Sequence, residues 1–311
     1  MHLPYLSIYN IIFLNVVRKN EINNLEGKKA KMKRRWLTLL AVICTVALLT
    51  AGCAQKAPDT KPTDKAQTGD QSWNKIKEKG EFVIGLDDNY PPAGFRDKAG
   101  ELVGFDIDLA KEAAKRLGVK AVFKPVQWDG VLLNLKSGEI DLIWNALGIT
   151  PERQKEIGFT DSYMADRNII VVKAGSPIKS KADLAGKTVG LQLGSTAEPA
   201  VTKDEISSKL KEIRKFESPT VALMDLDAGR IDAVVTNEMN ARYLVTTEKT
   251  ADKYYILTEQ EGDFGKEPFG VGVRLEDKTF LTELNRVLNE MKADGTAAKI
   301  SNEWFGSNII K

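Results

Sequence analysis

One histidine and two cysteines are all that 311 residues contain of these types, and all three lie at or before position 53 (His2, Cys44 and Cys53). Everything downstream lacks both imidazole and thiol. That excludes histidine-based triads, thiol nucleophiles, disulfides and zinc sites of histidine or cysteine from the body of the protein. Carboxylate acid–base chemistry and oxygen-ligand metals remain open. No glycine-rich nucleotide loop is present, so any ATP hydrolysis belongs to a partner. The apolar run from Trp36 to Leu49 falls short of the roughly 20 residues a membrane-spanning helix needs. A large charge of one sign is also missing, with 45 basic residues against 43 acidic ones.

The basic cluster Lys31-Met32-Lys33-Arg34-Arg35, the short apolar run and Thr50-Ala51-Gly52 before Cys53 form a secretory signal. The cysteine after Ala-Gly resembles a lipobox, with lipid on Cys53 and cleavage before it; Thr50 departs from the usual aliphatic residue three places earlier. The competing reading is a signal-anchor helix. A second apolar patch, Tyr5 to Val17, precedes the basic cluster, and translation is expected to begin at Met32. Residues 1 to 52 hold eight basic and two acidic residues, which leaves 37 and 41 after cleavage, a net charge of −4. A mildly acidic body has no electrostatic footprint for nucleic acid. Residues 53–72, rich in Lys, Asp, Thr, Pro and Gln, read as a flexible linker.

From Trp73 onward, strands and helices alternate. Phe82 to Leu86 is a strand, Asp106 to Leu117 a helix closed by Gly118, and Ala121 to Phe123 a strand. Trp128 to Lys136 is a helix, Ile140 to Trp144 a strand, and the chain ends in helices over Asp277 to Lys292 and Thr296 to Trp304. Such alternation predicts a largely parallel sheet with helices on its faces. Leu132-x-x-Leu135-x-x-Gly138-x-Ile140-Asp141 recurs 91 residues later as Leu223-x-x-Leu226-x-x-Gly229-x-Ile231-Asp232. This is either a common helix–glycine–strand junction or the trace of two similar α/β lobes. On the second reading, the runs Asn168 to Val172 and Phe269 to Val273 cross between lobes. The lobes are then 73–169 with 263–311, and 170–262. The cleft between them is a natural place for a small ligand.

Gly85-Leu86-Asp87, Tyr90-Pro91-Pro92, Gly104-Phe105-Asp106-Ile107-Asp108-Leu109, Trp128-Asp129-Gly130, Gly138-Glu139-Ile140-Asp141, Thr150-Pro151-Glu152-Arg153, Gly194-Ser195-Thr196 and Trp304-Phe305-Gly306 follow one another in register. In this order they resemble the polar amino-acid-binding proteins of ABC transporters (bacterial solute-binding family 3), over essentially all of residues 73 to 308. The resemblance implies an α/β, two-lobed periplasmic-binding-protein-like fold (type II) with lobes joined by two hinge strands. It also implies an extracytoplasmic, monomeric receptor without a cofactor, which passes a polar amino acid (cystine, arginine, glutamine or similar) to an ABC permease and its ATPase.

Physical chemistry supports several of the positions this implies. Thr150-Pro151-Glu152 reads as an N-cap, an N1 proline and a favourable acid, whereas Arg153 opposes the helix dipole. A bidentate clamp on the ligand carboxylate accounts for it, and the resemblance puts that clamp at Arg153; a surface ion pair is the plainer alternative. Ser195 and Thr196 precede a helix starting near Ala197 and form an expected anion site, with capping by Ser195 compatible. The resemblance makes Tyr90 and Trp128 an aromatic wall and gives Asp87 the ligand's polar end, with Gln192 and Ala146 beside them. Two positions depart from the family pattern. Asn237 stands where an ammonium-binding aspartate is usual, with Glu238 or Asp87 as substitutes. Gly148 stands where a hydroxyl residue is usual, which enlarges the pocket. A dehydratase-like enzyme on the same scaffold, with Glu198 and Glu238 as candidate acids, and an extracellular sensor module are the alternative functions.

Overall fold

Alternation of apolar residues in the strand Met164–Lys173 sends Ile169 and Val171 into one aliphatic cluster and Ile170 and Val172 into another. The strand lies inside a sheet with both faces covered, the setting that permits an unbroken apolar run. The chain is described by a computed structural model covering residues 69–247 and 252–311. The signal, the start at Met32 and the lipidation of Cys53 lie outside the described residues.

Two sheets define two lobes. In the first, the order is Lys120–Pro125, Glu81–Leu86, Leu142–Ile143, Gly272–Val273 and Gly158–Phe159; the first three strands are parallel, and Gly272–Val273 pairs antiparallel with both of its neighbours. In the second, Glu212–Phe216, Thr188–Gln192 and Ala233–Asn237 run parallel, followed by Met164–Lys173 and Tyr254–Ile256 in antiparallel array. The helices Phe105–Leu117, Lys278–Ala293 and Thr296–Phe305 pack on the first lobe. Pro219–Asp227 and Glu238–Thr247 pack on the second.

The sequence repeat is a structural one. Gly138 and Gly229 are both left-handed, at φ 78° and 70°, and turn the chain into a strand. Asp141 donates its N–H to Val83 O and accepts the Val83 N–H at 2.9 Å; Asp232 does the same with Thr188, accepting its N–H at 2.8 Å. Each aspartate thus closes the same ladder in its own lobe.

The crossing between lobes is a two-stranded ribbon in which Met164 to Arg167 pairs antiparallel with Lys266–Phe269. It lies upstream of the apolar runs Asn168–Val172 and Phe269–Val273, most of whose residues belong to the sheets themselves. Hydropathy marks the part of a strand buried on both faces, whereas the ribbon is narrow and carries Asp166, Arg167, Lys266 and Glu267. The expected helix from Trp128 divides into a 3-10 turn, Trp128–Gly130, and an α-helix, Val131–Lys136. The expected strand Ile140–Trp144 is laddered only at Leu142–Ile143. The linker expected over 53–72 ends earlier, because Ser72 is buried and opens the helix Ser72–Lys79. Asp70 accepts the Ser72 N–H at 2.8 Å and also the Thr279 N–H of the helix Lys278–Ala293, so this stretch docks on the first lobe.

Candidate ligand-binding cleft

Arg153 occupies the helical turn Pro151–Gln154 with Thr150 as N-cap, the Thr150 hydroxyl accepting the Arg153 N–H at 3.2 Å. The cap fixes the backbone and sends the guanidinium back across the loop. Nη1 donates to Gly148 O at 2.9 Å, and Nη2 to Gly194 O, in the other lobe, at 3.0 Å. A guanidinium has five N–H donors. Two are held by carbonyls, one from each lobe, and Arg153 lines the cavity between them. Burial lowers its pKa, against the nearby Glu267 and Tyr90, which raise it. A cation held by neutral carbonyls keeps its full charge for an anion.

With the lobes closed, the cavity leaves room of only about 10 Å³. The first lobe supplies Tyr90, Trp128, Ala146 and Arg153; the second supplies Gln192, Ser195, Thr196 and Asn237. Asp87 and Gly148 stand one step behind. Asp87 accepts from Gln192 Nε2 at 2.6 Å and from the Asn89 N–H at 2.9 Å. Desolvation pushes its carboxyl up to about 6 despite these donors. The lobes are closed on each other, since Tyr90 OH donates to Asn237 Oδ1 at 2.5 Å and Asn240 Nδ2 to Pro91 O at 2.6 Å. Asn89 Nδ2 also donates to Ser218 Oγ at 2.9 Å. At Gly194, φ is 73° and an added Cβ would lie 2.9 Å from Asp129 Cα, so only glycine permits this approach.

Asn145, which the sequence did not single out, also lines the cavity. Its Oδ1 accepts the Asp87 N–H at 3.1 Å, while its Nδ2 is buried without a protein partner. The next residue, Ala146, has φ 49°. That strained turn is braced from below. Asp106, fully buried in the first turn of Phe105–Leu117, accepts the Ala146 N–H at 2.6 Å and the Tyr163 hydroxyl at 3.0 Å. The helix N-terminus favours a carboxylate there, yet desolvation pushes Asp106 up to about 7.

At the expected anion site, Ser195 and Thr196 line the cavity together with Arg153. The Gly194 N–H donates to Glu198 at 3.0 Å, the Ser195 N–H to Gln192 O at 3.3 Å, and Ser195 Oγ to Gln192 O at 2.7 Å. Thr196, not Ser195, is the N-cap of Ala197–Thr202, and it makes no side-chain cap bond. The Gly194 and Ser195 N–H groups are thus taken up within the loop and its helix. Glu238 is not the substitute acid beside Asn237, because it pairs with Arg167 at 2.6 Å and with Arg242. Burial raises the pKa of Glu238, but its arginines outweigh that and the net shift is downward. Glu198 behaves likewise with Lys215 and the Gly194 N–H. Neither carries the raised pKa that a general acid needs.

The acid beside Asn237 is Glu267, from the ribbon. Its Oε1 accepts from Thr196 Oγ1 at 2.5 Å, Asn237 Nδ2 at 2.8 Å and Asn168 Nδ2 at 3.2 Å. Sequence gave no signal for it. Its partners lie 71, 30 and 99 residues away, and only the fold assembles them.

Two lobes joined by a ribbon, with a polar cavity between them, define a two-lobed binding protein, and the comparisons agree. Residues 82–307 match the family model of bacterial extracellular solute-binding proteins, family 3, and the chain belongs to that family. The L-cystine-binding protein TcyJ of Escherichia coli is 35% identical over 240 residues, covering 76% of this chain and 87% of that one. The lysine/arginine/ornithine-binding periplasmic protein of Escherichia coli is 36% identical over 231 residues, covering 73% and 88%. Among solved structures, an ABC uptake transporter substrate-binding protein from Streptococcus pneumoniae with bound histidine superposes with a TM-score of 0.75 at 34% identity, covering 78% and 99%. These relatives are binding proteins rather than enzymes.

Proposed function

We propose that this chain is a lipid-anchored receptor on the outer face of the cell membrane, which captures a polar amino acid between its lobes and delivers it to an ABC importer. The carrying observation is Arg153, tied to one carbonyl from each lobe and lining a closed interlobe cavity. A ligand carboxylate at Arg153 draws on both lobes, so binding and closure are coupled. Tyr90 and Trp128 stack on the ligand's aliphatic part. Gln192 gives its amide N–H to Asp87 and to Glu217 O, leaving its Oε1 as an acceptor for a side chain that donates hydrogen bonds. Arginine, glutamine and cystine meet that requirement. The ribbon divides the lobes: the first runs from 73 to the paired residues 164–167 and from Lys266–Phe269 to 311, and the second lies between. A lipid on Cys53 anchors the receptor, which acts as a monomer with a permease and its ATPase and binds neither nucleic acid nor cofactor.

Thermal unfolding of the full chain with L-arginine, L-histidine, L-glutamine, L-cystine and a prephenate-like acid tests this. A ligand at about 100 times its dissociation constant adds roughly 2.7 kcal/mol of stability. Arg153→Ala is expected to remove about 2–5 kcal/mol of binding, because it leaves the carboxylate buried and unpaired. Stabilisation by none of the amino acids overturns the receptor reading, and turnover of the prephenate-like acid replaces it with an enzyme.

A further inference from the structure

We infer that Glu267 sets the ammonium end of the cleft, as a positioning residue acting through Thr196 and Asn237; this rests on the amino-acid receptor reading. A threonine hydroxyl has one proton, and Thr196 gives it to Glu267 Oε1. Asn168 Nδ2 donates to Thr196 Oγ1 at 3.4 Å, so what Thr196 has left for the cavity is one lone pair. Asn237 is turned the same way: only its Nδ2 can donate to a carboxylate, and this bond fixes Oδ1 toward Tyr90 and the cavity. Two neutral side chains thereby become acceptors backed by a negative charge. Such a wall takes a cationic donor and turns away an anion. Arg153 stands in the same cavity with the opposite charge. A carboxylate held by Arg153 and an ammonium held on the Thr196–Asn237 side describe the two charged ends of a free amino acid.

The same geometry unites the two unusual positions of the sequence. A Cβ on Gly148 would lie 2.5 Å from Glu267 Oε2 and 2.7 Å from Thr196 Cγ2, so the missing side chain at 148 is what admits the glutamate. An aspartate at 237 would set a second carboxylate against Glu267 Oε1 where an amide now donates, and two carboxylates sharing one site do not both ionise. Gly148, Asn237 and Glu267 are therefore one feature, in which the negative charge sits on the ribbon and its effect is relayed by one hydrogen bond.

Titration calorimetry of the full chain tests this with L-arginine, L-histidine, L-glutamine and L-cystine, each against its counterpart lacking the α-amino group. Glu267→Gln should weaken the amino acid by roughly 30-fold or more and the counterpart by less than about threefold, as expected for loss of a charged hydrogen-bond partner. Glu267→Gln with Asn237→Asp restores a carboxylate one bond nearer and should return affinity to within about fivefold of the unaltered protein. Equal losses for amino acid and counterpart, or no loss, overturn the inference while leaving the receptor reading intact. Failure of the unaltered protein to bind any of the four overturns both. Should Glu267→Gln not fold, Gly148→Ala displaces the same carboxylate and should give the same amine-selective loss; unchanged selectivity in that variant overturns the inference.

Discussion

The lobes share one repeated unit and yet are built differently. The first has an aromatic core, with Phe82, Phe105, Trp144, Tyr163, Phe269 and Phe280 almost wholly buried. The second is aliphatic on both faces of its sheet, and its two clusters contain no fully buried aromatic ring. The first lobe holds acids of both kinds: Asp70, Glu112, Glu152 and Asp294 are lowered by donors and cations, but others are raised. Asp87 and Asp106 in the first lobe and Asp166 on the ribbon are raised, chiefly by desolvation. In the second lobe, Asp183, Glu198, Asp204, Asp225 and Glu238 are all lowered by their donors and cations. The first lobe brings the cation and the aromatic rings to the cleft, and the second brings hydroxyls and amides. A similar chain topology therefore supports two kinds of interior, with the buried charge concentrated in one of them.

The sharpest way to break that comparison is to cut into each core. Phe280 stacks on Trp73 at 6.2 Å and meets Phe82 at 5.8 Å. Phe280→Ala should cost about 3–5 kcal/mol of unfolding free energy, because the surrounding rings cannot collapse into the hole. Ile170→Val in the second lobe should cost about 0.5–1.5 kcal/mol. Denaturant unfolding measures both, and equal costs would mean that the aromatic core is not the more tightly specified one.

Acid should act on the buried carboxylates. Asp87 and Asp166 sit at about 6 and Asp106 at about 7 in the folded chain, against about 3.9 for an unfolded aspartate. Between those values the native state holds more protons than the unfolded one, so stability falls as pH rises through the window. Unfolding free energy should thus increase on going from pH 7.5 to about 5, by on the order of 1 kcal/mol or more. Asp106→Asn keeps an acceptor for the Ala146 N–H and should flatten part of this slope; a slope unchanged in that variant would remove Asp106 from the explanation.

The smallest effect is expected where the lobes touch through solvent. Lys203 and Glu152 pair at 2.9 Å across the cleft mouth, with about two-thirds of each side chain exposed. Lys203→Ala should change ligand affinity by less than about 1 kcal/mol. A larger loss would make this pair a latch rather than a surface contact.

Much of the cleft was legible in the sequence because its residues sit at local punctuation. Arg153 follows a cap and a proline, Asp87 and Tyr90 end a strand, Trp128 opens a helical turn, and Thr196 precedes one. Local chemistry singles out Arg153 and Thr196, whereas Asp87, Tyr90 and Trp128 are picked out by the family resemblance. Asn145 and Glu267 were missed for the opposite reason. Asn145 follows a strand that ends sooner than its hydropathy suggests, and its importance comes from the turn at Ala146. Glu267 lies in a ribbon with no periodic signal. Glu198 and Glu238 were misjudged because a carboxylate's pKa depends on cations brought close by folding, Lys215 in one case and Arg167 and Arg242 in the other.

The sequence by itself determined the alternation of strands and helices, the repeated helix–glycine–strand unit and the near absence of histidine and cysteine, since each depends on neighbouring residues or on composition alone. Tertiary structure decided where the ribbon crosses, which acids keep their protons, and that a glutamate from one strand lies beside an asparagine from another. Those outcomes depend on distances between residues far apart in the chain, and charge and burial act through space.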